Sequence, residues 1–261
     1  MAYRHLASQR DGFIERLTLS RPEVRNAFNE EMIAELRAWA SGIAADPDVR
    51  VVVISGAGPV FCAGADLAWM AKTAGYTEVE NVEDARRASE MFAAVDSLPV
   101  PVIGRIHGAA LGGGAGLTAV CDIAVAETDT TFGFTEVKLG LIPAVISPFV
   151  LAKIGRSAAR ELFLTGRRFS AAHALDIGLV HDVVPREDLD AAVDRLVGDV
   201  AAAGPHAISA AKRLIADIWD RSADEAREHT AAALAQRRVS AEGQEGLRAF
   251  LEKRRPRWSL P

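Results

Sequence analysis

The sequence predicts an α/β protein, and three observations carry that expectation. The apolar runs Val51-Val52-Val53-Ile54 and, more weakly, Val102-Ile103 with Ile106 lack alternation, as befits strands covered on both faces. A helical stretch lies between them, and a strand, helix, strand order implies parallel pairing with right-handed crossovers. Beyond about residue 147 the texture changes to repeated helix-opening signals, so the C-terminal third is predicted to be mostly helical.

Residues 13–19 alternate around Leu17 and Leu19 and predict an early strand, ended by Arg21-Pro22. Asn29 is a candidate helix cap, with Glu30 and Glu31 favourable in the first turn. Met32, Ile33, Leu36, Ala40 and Ile43 then recur at helical spacing until Asp46-Pro47. Residues 56–64 form a loop, followed by a helical stretch that stops before Pro99. Further on, Ser147-Pro148, Ser157, Ser170, Pro205 and Ser222 each open a helical run, while Gly155, Gly166, Gly178 and Gly204 punctuate. In that region only residues 179–184 read as a strand. Ala-rich faces such as residues 201–203 suit close helix packing, including packing against another subunit.

Composition narrows the function classes. A chain of 261 residues, 49% hydrophobic and 25% charged, can bury a sizeable core and is not disordered. A net charge of −5 leaves no electrostatic footprint for nucleic acid, and the short run Lys253, Arg254, Arg255, Arg257 reads as a solvated tail. Cys62 and Cys121 cannot make a disulfide framework, and no His/Cys spacing suits a metal; a reducing compartment is expected. No apolar stretch reaches membrane-spanning length, and the first ten residues lack the core of a signal peptide, so a cytoplasmic location is expected.

Two loops concentrate the chemistry. Gly108-Ala109-Ala110-Leu111-Gly112-Gly113-Gly114-Ala115-Gly116-Leu117 follows a buried strand and opens into an apolar, helix-compatible run. Glycine at this density implies close approach of a ligand or another backbone, and amides at a helix start point toward developing negative charge. A dinucleotide loop fits poorly, because the Gly-x-Gly-x-x-Gly spacing with its later acidic residue is not clearly met. The second loop, Phe61-Cys62-Ala63-Gly64-Ala65-Asp66-Leu67, has the same small-residue texture. Two such loops on one parallel sheet bring their amides to the same edge, where these sheets bind ligands.

These segments, with Cys121-Asp122-Ile123, Phe132-Gly133-Phe134-Thr135-Glu136, Leu164-Thr165-Gly166 and the block ending at Val180, resemble the successive signature blocks of the crotonase (enoyl-CoA hydratase/isomerase) family. The resemblance implies a repeated ββα core over residues 1–200, a helical C-terminal region over 201–261 that mediates trimerisation, and a homotrimer or a hexamer of two trimers. It implies an acyl-CoA thioester as substrate, with coenzyme A part of that substrate and no separate cofactor or metal. The thioester carbonyl would lie between the backbone amides of Ala65 and Gly113, with Glu136 as the catalytic acid. Ala63, Asp66 and Leu67 would line the adenine and pantetheine path, with Arg25 near the phosphates. Phe250 and Lys253 match a C-terminal block that often reaches the coenzyme A of a neighbouring site.

One position departs from the pattern. Hydratases of the standard type use two glutamates, and where the first belongs this chain has Gly116. Syn hydration needs a proton at the α-carbon and an activated water at the β-carbon, tasks two carboxylates usually share. Three readings compete: a hydratase in which Glu136 does more, a Δ3,Δ2-enoyl-CoA isomerase that shuttles a proton on Glu136 alone, and a thioester-binding protein without catalysis. The run Glu136-Val137-Lys138-Leu139-Gly140-Leu141-Ile142-Pro143-Ala144-Val145-Ile146-Ser147-Pro148 is similar to bacterial methylglutaconyl-CoA hydratases, which favours the first. On that reading the substrate is a branched or carboxylated enoyl-CoA such as 3-methylglutaconyl-CoA, and Lys138 is a counter-charge if it points inward, although a Lys two residues past Glu136 more often lies at the surface. His107 and Asp122 read as structural, Cys62 as a small apolar filler, and Trp69 and Met70 as either acyl-pocket or helix-core residues.

Overall fold

A computed structural model describes residues 3–259. The chain opens with an antiparallel pair, β1 (Leu6–Asp11) and β2 (Ile14–Leu19). Sequence reading omits β1 because all but Leu6 of its side chains are exposed, so no apolar alternation marks it. Helix α1 (Glu30–Ala44) starts where expected, with the Asn29 side chain accepting from Met32 N at 2.9 Å. After β3 (Val51–Gly56), the helical stretch divides into α2 (Leu67–Thr73) and α3 (Glu78–Asp96). The division falls at Thr77, which forms a reciprocal capping box with Glu80.

Next come β4 (Val102–Ile106), β5 (Ala109–Leu111), α4 (Gly113–Val120), β6 (Ile123–Glu127) and β7 (Thr131–Gly133). Helix α5 (Ser147–Thr165) leaves helical geometry at Gly155 (φ 69°, ψ 171°) and resumes it beyond, which reconciles one helix with the two openings read at Ser147 and Ser157. Strand β8 (Arg168–Ser170) precedes α6 (Ala171–Asp176), capped by Ser170. Strand β9 (Asp182–Val184) is shorter than read from the sequence: Leu179 and Val180 are buried in the core but lie outside it. Helices α7 (Leu189–Ala202), α8 (Pro205–Ile218), α9 (Ala223–Val239) and α10 (Ala241–Leu251) complete the described chain.

Among the described residues, the strands form a six-stranded sheet in the order β1-β2-β3-β4-β6-β9 and a small sheet in the order β5-β7-β8. From β2 to β9 every pairing in the larger sheet is parallel, as the strand, helix, strand order demands. A unit recurs: a strand of the large sheet, a short strand of the small one, then a helix, as in β4-β5-α4 and β6-β7-α5. Beside β5, Cys62 bridges Ala110, so β3, this bridge and α2 follow the same plan. Strand β3 shows why its sequence is unbroken apolar: Val52 and Ile54 enter the main core, whereas Val51 and Val53 pack with Leu189, Val193 and Val197 of α7.

Between β2 and α1 the chain turns through Arg25 (φ 57°) and Asn26 (φ 56°), the left-handed region that Asn tolerates best after glycine. Asn26 is fully buried and its amide donates to Ala57 O (2.8 Å) and Val60 O (2.9 Å), while its oxygen accepts from Arg21 N. It thereby ties the first turn to the loop after β3. Asn26→Ala removes both donations and leaves the partly buried carbonyls unpaired. A destabilisation of about 1–3 kcal/mol is expected in urea unfolding of the native assembly, and an unchanged midpoint would contradict this role.

Candidate active site

The loop of residues 61–65 is held as a strand between two neighbours. On one side Phe61 N donates to His107 O (2.9 Å), Cys62 N to Ala109 O (3.1 Å) and Leu111 N to Cys62 O (3.0 Å). On the other, Ala63 N donates to Arg25 O (3.0 Å), Phe28 N to Gly64 O (2.7 Å) and Asp66 N to Phe28 O (2.9 Å). The Phe28–Ala65 bridge uses the amides flanking Ala65 and leaves the Ala65 N–H outside the ladder. Cys62, wholly buried with its thiol pushed up to about 12 by burial, is filler inside this zipper.

The Gly-rich segment meets that loop directly. Gly112 adopts φ 49°, ψ −118°, and its N–H donates to Gly133 O (2.8 Å), extending the β5–β7 pairing. Gly113 then opens α4, so its N–H is one of the helix's unsatisfied donors. Among the described residues, neither the Ala65 nor the Gly113 amide donates to a protein acceptor. The two turns touch: a Cβ on Gly64 would lie 2.8 Å from Leu111 O and 3.7 Å from Gly113 N. A Cβ on Gly113 would press on the Phe28 ring at 2.9 Å, so only glycine fits there.

Glu136 enters from the third side. It begins the short 3-10 turn Glu136–Leu139, three residues after the end of β7, the strand that pins Gly112. A Cβ on Gly112 would sit 3.2 Å from Glu136 Oε1, which places the carboxyl against the glycine turn. Its Oε2 is buried and has no hydrogen-bond partner among the described residues. Burial holds the Glu136 carboxyl above the ordinary carboxylate range, offset only in part by its own backbone N–H.

Ala65, Gly113, Glu136, Trp69, Leu141 and Val145 line two adjoining cavities. One, of about 320 Å³, is walled by apolar side chains including Phe28, Ile33, Met91, Phe92, Ile142 and Ile146. The other, of about 410 Å³, adds the more polar rim of Thr73, Asn81, Asp84 and Thr135, together with Ala63, Leu67, Met70 and Gly112. The arrangement can polarise a carbonyl with two main-chain donors at the junction and move a proton at a neighbouring carbon with one carboxyl. Among the described residues, no cluster of three His, Cys, Asp or Glu side chains is placed to hold a metal ion.

A family profile described as enoyl-CoA hydratase/isomerase matches residues 9–260. The chain belongs to the enoyl-CoA hydratase/isomerase family. It is 38% identical to an enoyl-CoA hydratase crystal structure from Shewanella pealeana, with a TM-score of 0.94 over 98% of this chain and 96% of the other. Pseudomonas aeruginosa AtuE superposes with a TM-score of 0.95 at 34% identity, over 98% of this chain and all of that one. Among curated relatives, the Danio rerio enoyl-CoA hydratase domain-containing protein 3 is 34% identical over 97% of this chain and 86% of its own. The fold is therefore the α/β crotonase fold, helical C-terminal elements included.

Within this family's framework, the residues singled out in the sequence separate into groups. Ala65, Gly113 and Glu136 converge, and Ala63 and Leu67 stand at the polar cavity beside them. Arg25 is exposed next to Ala63, joined to it through the main chain. The Asp66 carboxylate is turned inward instead: it caps α2 through Ala68 N (2.7 Å) and Trp69 N (3.3 Å) and pairs with buried Arg21 at 2.8 Å. Phe250 and Lys253 lie at the exposed end of α10 and line neither cavity of their own chain.

Lys138 does not meet the condition for a counter-charge and takes the surface position. It is exposed, with its stem beside Gly166, and lines neither cavity, because the 3-10 turn that aims Glu136 inward carries the residue two positions later outward. His107 is buried with Nε2 3.0 Å from Gly58 O, and Asp122 accepts from Val102 N and pairs with Lys212 (2.7 Å), so both are structural. Sequence reading missed Phe28, Phe92 and Ile146 as cavity walls. Their only sequence signal is apolarity, which they share with the core.

The structure also explains the departure at Gly116. A Cβ there would collide with Ile146 Cγ2, lie 2.8 Å from Ile146 Cβ and approach Phe92 at 3.4 Å. The volume a second acid would enter from α4 is occupied by Ile146. Gly116→Glu alone is expected to destabilise the fold by about 1–3 kcal/mol or more through overpacking. Combining it with Ile146→Gly should recover part of that loss in thermal unfolding; equal stability of the single variant and the native protein would refute the interlock.

Proposed function

We propose that the protein is an enoyl-CoA hydratase, adding or removing water across the α,β double bond of an acyl-CoA thioester. The observation that carries this reading is the convergence of two unpaired main-chain donors, Ala65 and Gly113, with the buried carboxyl of Glu136 on one cavity. The thioester oxygen accepts from both amides, each worth about 3–4 kcal/mol of barrier when an enolate develops there. Glu136 exchanges the proton at the α-carbon, and its lifted pKa brings proton donor and acceptor roles closer to neutrality. The hydratase names of the relatives support the same reaction class.

The acyl group proposed is a branched one. Phe28, Ile33, Met91, Phe92, Ile142 and Ile146 supply apolar walls wide enough for a β-substituent. A carboxylated acyl group such as that of 3-methylglutaconyl-CoA would need a cation, and among the described residues no Lys or Arg lines either cavity. The polar cavity, rimmed by Ala63 and Leu67 with Arg25 beside them, is proposed for the pantetheine and phosphates. Exposed apolar side chains on the C-terminal helices, Ile215, Leu247, Phe250 and Leu251 among them, support assembly as a trimer or hexamer in which α10 meets a neighbour's site.

The test is a panel of crotonyl-CoA, 3-methylcrotonyl-CoA, 3-methylglutaconyl-CoA and a 3-enoyl-CoA, followed by water incorporation and double-bond position. Hydration, with kcat lowered about 10²–10⁴-fold in Glu136→Gln, is expected. Migration of the double bond without water uptake would instead establish an isomerase, and tight binding with no turnover a thioester-binding protein. In the hydration direction, kcat/KM should rise with pH as Glu136 ionises. That acid limb should lie above the ordinary carboxylate value of 4.5 and vanish in Glu136→Gln.

A further inference from the structure

Of the buried side-chain nitrogen and oxygen atoms without a hydrogen-bond partner among the described residues, just two belong to side chains lining the cavities: Glu136 Oε2 and Trp69 Nε1. Their chemistry is complementary. The indole N–H can only donate, whereas a carboxylate can only accept. One ligand atom satisfies both if it offers a lone pair and carries a proton, as the oxygen of water or of an alcohol does. Leaving a buried polar atom unpaired is unfavourable, so two of them on side chains that line the same cavities suit an occupant that pairs them.

Resting on the hydratase reading, we infer that the Trp69 indole N–H holds the β-oxygen of the reaction, the incoming water in hydration and the leaving hydroxyl in dehydration. The standard second acid is excluded from α4 by the packing of Ile146 on Gly116, so the water has no carboxylate on that helix to orient it. Trp69 supplies the missing orientation from α2, the helix that follows the other loop. The start of its helix is anchored beside the oxyanion loop: Asp66, one residue after Ala65, receives the Trp69 main-chain N–H and pairs with Arg21.

The step balances with one acid. Water oxygen forms the Cβ–O bond while its proton passes to the Glu136 carboxylate, and the π pair moves to the thioester oxygen as an enolate held by Ala65 N–H and Gly113 N–H. Glu136 then returns the proton to Cα as the enolate pair forms the new C–H bond. Trp69 keeps its own proton throughout.

Two reactions of the same assembled protein separate this role from a structural one. Hydration of crotonyl-CoA and 3-methylcrotonyl-CoA needs the β-oxygen; exchange of the α-protons of butyryl-CoA with D2O needs only Glu136 and the amides. Trp69→Phe is expected to lower hydration kcat roughly ten-fold more than it lowers α-exchange, with little change in the KM for hydration. Unchanged hydration, or a parallel fall in both reactions, overturns the inference. Native protein that exchanges α-protons yet hydrates no enoyl-CoA defeats the hydratase reading itself, a different result from an active native enzyme indifferent to Trp69→Phe. Should the variant fail to fold, native protein with 15N-labelled indoles answers: the Trp69 N–H resonance should move with 3-hydroxybutyryl-CoA and not with butyryl-CoA, and equal responses to the two overturn the inference.

Discussion

Everything at this site depends on main-chain hydrogen bonding of residues 61–65 between two flanking segments. With Phe28 on one side and residues 107–111 on the other, the loop has little freedom to rotate its peptides, and the Ala65 N–H is left without a protein acceptor at a residue that lines the cavity. The second donor is fixed by the same lattice, since Gly112 is pinned by Gly133 and Gly113 follows as the first residue of α4. Donors positioned this way need no reorganisation when charge appears on the substrate oxygen, which is the condition under which oxyanion stabilisation is large.

Glu136 belongs to the same construction. The β5–β7 pairing that sets Gly112 also sets the chain that delivers Glu136 three residues after Gly133. Its carboxyl is buried without a protein partner, a placement that raises its proton affinity and would be unfavourable in an inert core. The apolar walls around it supply the low-polarity surroundings that tune the acid and, on the proposed function, would receive the acyl chain.

Much of this was legible before the fold was known. The double-sided burial of β3 was written in four consecutive apolar residues, the start of α1 in Asn29, and the meeting of two small-residue loops in their glycines and alanines. The family signature blocks then named Ala65, Gly113 and Glu136, which the folded chain brings together. What escaped was set by contacts between distant segments. β1 is polar because it is an edge, and the three-residue β8 is too short for any periodicity to register. Lys138 took the surface position held open for it, because a 3-10 turn, unlike a strand, does not return every second residue to one face. The partner of Asp66 escaped as well: its carboxylate binds Arg21 and the start of α2, a partnership 45 residues apart in sequence.

Main-chain donors have a consequence for how this protein can vary. The Ala65 side chain is exposed, so its identity can drift while the N–H it carries persists through every replacement except proline. Gly113 is held constant for an unrelated reason, the ring of Phe28 pressed against its α-carbon. Alanine scanning would therefore pass silently over one of the two proposed oxyanion donors and report the other as a packing defect. A genetic survey of this enzyme would undercount its own chemistry, and only amide-to-ester replacement in the backbone would expose it.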